Sequence, residues 1–274
     1  MDGARAVSAA ERPAGYRTPP RFGRLSWIGF NALFQRELTK YVRSSADILL
    51  GTAFTASLYL VVFSLALGGA GGDETLVAFI APGLVMFALI ESASINPPVS
   101  MIIDKTLGAL ADTLMAPLKS IEIVLAYTLA ATIAGLITGA LVAAAALLLG
   151  KLTITDPLLA FGFAGACAFM LAVFGLFVGI LVSKWEGFGV FYSLTLLPLT
   201  FLSGVFAPLE RLPQALQAVV MLNPFTYAID GFRAACGGTP NFPLWVSGAV
   251  IAGATLVALV IVERLLARGW RLKP

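Results

Sequence analysis

An all-α polytopic membrane protein with six crossings is what this sequence predicts, and three observations carry that reading. Hydrophobic residues make up 59% of the 274 positions while charged ones make up only 12%. Apolar runs of about 20 residues, the length a helix needs to cross roughly 30 Å of hydrocarbon, recur six times. Fifteen of the 18 Lys and Arg fall on one side of those runs once they are threaded back and forth. A soluble core of this size needs a far larger charged surface, whereas lipid asks for apolar residues on the outside as well. The formal charge of +3 is small and gives no reason to expect a nucleic-acid partner.

Residues 1–25 are rich in Arg, Ala and Pro without periodicity, and are expected to form a flexible tail. The remainder, 26–274, reads as one membrane domain. It opens with "SWIGFNALFQRELTKYVRSS", where Trp27, Phe30, Leu33, Phe34, Leu38 and Tyr41 recur at helical spacing and Arg36, Glu37, Lys40 and Arg43 take the other side. That pattern predicts an amphipathic helix lying in the membrane interface.

The predicted spans are 47–67, 76–98, 123–149, 158–182, 188–206 and 244–262. Eight basic residues precede the first, Lys105 and Lys119 lie between the second and third, Lys184 between the fourth and fifth, and four follow the sixth. Basic residues are retained on the cytoplasmic side of short loops, so both termini are expected there. Lys151, Arg211 and Arg233 fall on the opposite face. No cleavable leader is apparent, and the first span is expected to stay.

Within the second span, Pro82 and Gly83 permit a kink and Glu91 is a carboxylate deep in apolar sequence, followed by Ser92, Ser94 and Asn96. A carboxylate there should face protein or water. It fits a residue of a substrate path or a subunit contact, and equally a helix already reaching the aqueous boundary. Gly135 with Gly139 and Gly175 with Gly179 are small-xxx-small pairs, read first as packing within the chain.

Between the second and third spans, "IIDKTLGALADTLMAPLKSIE" is too polar to cross. Leu107, Leu110 and Leu114 sit three and four apart, Asp104, Lys105 and Asp112 take the other faces, and Pro117 closes the segment. It reads as a short amphipathic helix across the inner surface, either gripped by a partner or resting on headgroups.

After the fifth span, "FAPLERLPQALQAVVMLNPFTYAIDGFR" must fold at the outer boundary. Pro213 suits a first helical position and Leu216, Val219 and Val220 form a stripe; Asn223-Pro224 stops that helix. A second short helix carries Phe225, Ile229 and Phe232 on one side and ends at Gly237-Gly238. Ten residues reach only about 15 Å, so neither piece crosses. A re-entrant pair lining a wet cavity fits, as does an amphipathic loop on lipid.

Chemistry of its own is not offered. Cys167 and Cys236 lie at different depths and are not expected to pair, and the absence of His excludes the usual zinc sites and His-based triads. No GxxxxGK[ST] loop occurs. No cofactor or metal is expected on this chain.

"LSGVFAPLERLPQALQAVVMLNPFTYAIDGFR" resembles the hallmark of bacterial type-2 ABC transporter permeases, a group that includes nodulation-factor, drug-resistance and polysaccharide exporters. "FIAPGLVMFALIESA", "LADTLMAPLKSIEIVLAY" and "LARGWRLKP" are similar to that family too, so the likeness runs from about 33 to 272. It implies a non-catalytic permease in the bacterial cytoplasmic (inner) membrane, two copies assembling with two cytoplasmic ATPase subunits that carry ATP and magnesium. The partner copy is expected to be a second copy of this chain, with a paralogue as the alternative. The cargo is expected to be an exported amphiphile: a drug, a lipid or a lipid-linked glycan.

The same resemblance implies an ATPase-coupling segment at Asp104, Lys105, Thr106, Leu107, Gly108, Leu110, Asp112, Leu114 and Pro117, with Lys184 and Glu186 as a second contact. It implies that Pro208 to Arg233, with Leu216, Asn223, Pro224 and Tyr227, is the outer re-entrant pair that closes the exit; Glu91, Asn96 and Phe206 are read as further path or gate residues. One departure stands out: family members often carry a Glu-rich run before their "LLxxP" element, which Gly108, Ala109 and Ala111 dilute here. An ion-coupled secondary transporter or channel is the alternative, opposed by scarce intramembrane charge and no evident inverted repeat.

Overall fold

The structure, a computed structural model, describes residues 26–44, 46–67, 74–206 and 213–269; the expected tail and Pro208 lie outside these. The described residues form helices and connecting turns, with six helical segments long and apolar enough to cross a membrane. In chain order, α1 (Trp27–Thr39) runs through a π turn (Lys40–Ser44) toward α2 (Ala46–Leu67). Then come α3 (Glu74–Thr106), α4 (Ala109–Met115), α5 (Ser120–Leu148) and α6 (Pro157–Leu181). The fifth span is composite, α7 (Trp185–Phe191) and α8 (Leu197–Thr200) alternating with π turns over Tyr192–Leu196 and Phe201–Val205. The short helices α9 (Gln214–Leu222) and α10 (Pro224–Ala235) precede α11 (Leu244–Ala267).

The bundle is built around α3 and α6. Their contact depends on glycine: a Cβ on Gly175 would lie 2.4 Å from the Ser94 carbonyl oxygen, and one on Gly179 2.9 Å from the Pro98 Cα. Pro98 has no N–H, so the Ser94 carbonyl has no donor four residues on. Gly175 lets α6 close over that gap. On the opposite flank, Gly135 and Gly139 of α5 admit Ala93 and Leu89 of α3. Both glycine pairs therefore serve packing within the chain, as expected. Gly83, read as a kink, instead lies beneath the Val205 carbonyl, 2.4 Å from where its Cβ would be.

The second span does not stop at Pro98. The α helix continues through Pro97 and Pro98 to Thr106, which at 1.5 Å per residue makes a rod of about 50 Å. Prolines inside a span are tolerated where neighbouring helices cover the freed carbonyls, and α6 does so for the Ser94 carbonyl that Pro98 frees. Asp104, Lys105 and Thr106 are consequently the last turn of α3, and the short crossing helix begins only at Ala109.

The expected division of α1 into an apolar and a charged face is also revised. Leu33, Glu37 and Tyr41 are buried, whereas Trp27 and Ile28 are exposed. Glu37 belongs to the inward face because polar partners await it there. In α9 the expected stripe fails, with Val220 buried but Leu216 and Val219 exposed; in α10 Phe225, Ile229 and Phe232 are all buried. Pro213 stands just before α9 and not within it. Apolar faces of α2, α11 and the fifth span remain uncovered, as a lipid-facing or subunit-facing surface requires.

Candidate functional site

At the end of the bundle where α1 begins and α11 finishes, a network of charged side chains joins α1, α3, α4 and α5. Asp104 accepts from Lys40 Nζ at 2.6 Å, Arg36 Nη2 at 3.0 Å and the Tyr127 hydroxyl at 2.6 Å. Glu37 accepts from Arg36 Nε at 2.9 Å, Lys40 Nζ at 3.1 Å and the Ser100 hydroxyl at 2.6 Å. Arg36 Nη1 also donates to Thr113 Oγ1 of α4 at 3.2 Å. Two cations face two carboxylates, so the cluster is neutral and its buried lone pairs are occupied. That is the condition for charges to be held in a low dielectric.

Lys105 points to α6. Its ammonium donates to the carbonyls of Gly179, Ile180 and Val182 at 2.9, 2.9 and 3.0 Å. Those groups include carbonyls left open at a helix C-terminus, where a cation is favoured. Glu122 closes the other side by accepting from the backbone N–H of Ser26 and of Lys119, each at 2.8 Å.

Six of the nine residues expected in the coupling segment remain at the surface: Thr106, Leu107, Gly108, Asp112, Leu114 and Pro117. Asp104, Lys105 and Leu110 are buried. The surface offered by this segment is therefore mainly apolar, with Leu107 and Met115 each 76% exposed. Gly108 adopts φ +77° at the start of α4, a left-handed conformation that costs any other residue more. Lys184 and Glu186 lie on the surface at the start of α7.

Midway along α3, Glu91 is half-buried and accepts from the Tyr192 hydroxyl of the fifth span. One turn away on the same helix, Phe87 meets the rings of Phe201 and Phe206, and Phe206 meets Phe63. The carboxylate and the aromatic group thus share one side of α3. Asn96 stands apart, buried with Nδ2 donating to the Ser92 carbonyl at 2.8 Å.

At the opposite end, Asn223 links α9, α10 and the fifth span. Its Oδ1 accepts from the Phe225 N–H at 3.0 Å, capping α10, while its Nδ2 donates to the Leu199 carbonyl at 2.7 Å. Pro224 occupies the first turn. Tyr227 donates to the Met221 carbonyl at 2.9 Å and packs on Phe242. Arg233, absent from the sequence-based site, reaches the Gly204 carbonyl at 2.9 Å, and Gly204 itself sits at φ +81°. Burial lowers the Arg233 guanidinium to about 10, with Asp230 acting in the other direction, so the group stays cationic at neutral pH.

Sequence reasoning missed Arg36, Glu37 and Lys40 as inward groups, together with Ser100, Tyr127 and Tyr192. The spacing of Glu37 with Leu33 and Tyr41, one residue per turn, was the available signal.

A family model described as "ABC-2 type transporter" matches residues 29–236. Among curated proteins, the inner membrane transport permease YadH of Escherichia coli strain K12 is 27% identical over 248 residues, covering 89% of this chain and 97% of the relative. Nodulation protein J of Rhizobium leguminosarum bv. trifolii is 26% identical, covering 80% of this chain and 84% of its own length. The daunorubicin resistance ABC transporter permease DrrB1 of Streptomyces coeruleorubidus is 28% identical, covering 74% and 72%.

Proposed function

We propose, from the premise that the chain belongs to the ABC-2 type transporter family and is a transmembrane subunit of an ABC transporter, that it is the permease of an ATP-driven exporter. Two copies form the pathway and two cytoplasmic ATPase subunits, carrying ATP and magnesium, drive it. The cargo is an amphiphile of the drug, lipid or lipid-linked glycan class. Membership in a family that includes drug-resistance and nodulation permeases supports that range.

The braced end of the bundle is the observation that carries the reading. A coupling element must transmit a rigid-body push without deforming, and α4 is tied through Thr113 to Arg36, whose partners sit on α1, α3 and α5. In this proposal Asp104, Lys105 and Leu110 act by stiffening the platform. Leu107, Gly108, Asp112, Leu114 and Pro117 meet the ATPase, with Thr106 beside them and Lys184 and Glu186 as the minor contact.

ATP binding draws the two ATPases together and the platform passes that movement to α3, the rod on which Glu91 and the aromatic group sit. The α9–α10 pair, with Leu216, Asn223, Pro224 and Tyr227, closes the exit together with Phe206 and Pro208. Export follows only if cargo affinity differs between the two states. Both termini are cytoplasmic in this arrangement.

Detergent co-purification with the ATPase tests the docking. Leu107→Asp and Leu114→Asp should reduce recovery of the ATPase at least tenfold while the permease folds normally. Undiminished recovery in both variants, with ATPase stimulation intact, removes α4 from the interface.

A further inference from the structure

We propose that the cavity between the C-terminal end of α10, the α5–α6 connection and the start of α3 is a phosphate-binding site that recognises a phosphate group at the membrane boundary. The cavity holds about 450 Å³. Arg233 forms part of its wall and Lys151, Thr153, Thr239 and Asn241 contribute to its lining; no carboxylate is among the described lining residues.

Arg233 is the informative group. It is 94% buried, since only 6% of it is exposed. Phe79 covers one face of the guanidinium, 3.7 Å from the ring centroid, so its N–H donors project in the plane. One of them meets the Gly204 carbonyl. Arg233 Nε has no hydrogen-bond acceptor among the described residues. Its neighbour one turn earlier, Asp230, does not neutralise it at close range. That carboxylate is engaged by the Asn241 N–H and side-chain amide at 3.0 and 2.8 Å and by the Phe242 N–H at 3.0 Å. Among the described residues, neither Arg233 nor Lys151 forms a salt bridge.

A buried cation with an open donor is costly unless an anion completes it. Phosphate suits the planar fork of arginine, and Lys151 supplies a second charge from the same cavity. The walls are held before any ligand arrives: the N–H groups of Thr155 and Asp156 donate to the Ala235 carbonyl at 2.9 and 3.0 Å, and Thr153 Oγ1 donates to the Cys236 carbonyl at 3.3 Å. Preorganisation of this kind lowers the cost of binding. The cavity has room for a headgroup beyond the phosphate itself, and it lies where a span meets the boundary.

The purified full chain in a neutral detergent provides the test, with its thermal midpoint followed against inorganic phosphate and, separately, phosphatidylglycerol. At least one should raise the midpoint, and Lys151→Gln should require about tenfold more of it for the same rise, as expected for removing one charge-assisted contact. Stabilisation by phosphatidylglycerol alone identifies a lipid headgroup; stabilisation by inorganic phosphate as well identifies a free phosphate group. Lys151→Gln is the decisive variant because Arg233 also supports Gly204 and its replacement can unfold the chain. No rise with either anion, or the same response in wild type, Lys151→Gln and Lys151→Glu, overturns the site.

Discussion

The Lys40 ammonium lies 2.6 Å from an Asp104 carboxylate oxygen, joining the turn after α1 to the last turn of α3. Sixty-four residues separate them in the chain. Asp104 is nearly inaccessible whereas Lys40 is about 30% accessible, so the two partners are not equivalent. Losing the Asp104 carboxylate leaves two cations sharing the single carboxylate of Glu37, an uncompensated charge beside a buried site; losing the lysine still leaves Asp104 with Arg36 and Tyr127. Asp104→Asn should therefore lower stability by about 2–3 kcal/mol and Lys40→Met by about 1 kcal/mol. Thermal unfolding of the purified chain in detergent measures both, and equal losses would contradict the asymmetry.

Lys105 is expected to behave as a structural residue. Lys105→Met removes three bonds to the end of α6 and should cost about 2–4 kcal/mol, hydrogen bonds to a charged group being worth more than neutral ones. Leu107→Ala, two residues on and 76% exposed, should change stability by less than about 0.5 kcal/mol. If the Leu107 change destabilises as much as the Lys105 change, the assignment of inward and outward residues is mistaken.

The seam between α3 and α6 makes a steric prediction. Gly175→Val places new atoms against the Ser94 backbone, which cannot move aside as a flexible side chain could. A loss of about 3 kcal/mol or failure to fold is expected from such overpacking. Gly162→Ala, on the same helix but with no neighbour within 4 Å of the added Cβ, should be nearly neutral or slightly stabilising. Comparing the two by fluorescence-detected size exclusion after heating separates packing from helix propensity.

Cys236 carries a pH prediction. Burial raises its thiol from 9.0 to about 11, with Arg233 acting in the opposite direction. The folded chain binds this proton more tightly than the unfolded one. Its contribution to stability is thus present below about 9 and is lost as pH rises from 9 toward 11. Alkylation proceeds through the thiolate, so its rate at pH 8 should be at least tenfold below that of an exposed cysteine. Kinetics of maleimide labelling from pH 7 to 10 read this directly; a plateau near pH 8.5 would contradict it.

Six spans were legible because apolar length alone identifies them, and α10 because Phe225, Ile229 and Phe232 repeat at helical spacing on a face that is in fact buried. The end of α3 was not. Pro97-Pro98 signals a break in water, but α6 shelters the exposed carbonyl through Gly175, a long-range packing event that local sequence does not encode. The same limit hid Glu37, Asp104 and Lys105. A charged residue next to an apolar run looks solvated until the fold supplies Ser100, Tyr127 or a helix end as its partner. Arg233 escaped notice for a related reason, since neither Phe79 nor Gly204 is near it in sequence.

Reconstitution into sealed vesicles tests the central claim most directly: the chain is incorporated with and without its cognate ATPase, and ATP-dependent movement of a lipid or drug substrate is followed. Directed flux should require the ATPase and hydrolysable ATP, and vanish when Leu107 and Leu114 are both changed to Asp. Uphill flux by the chain alone, driven by an ion gradient and indifferent to ATP, would contradict it.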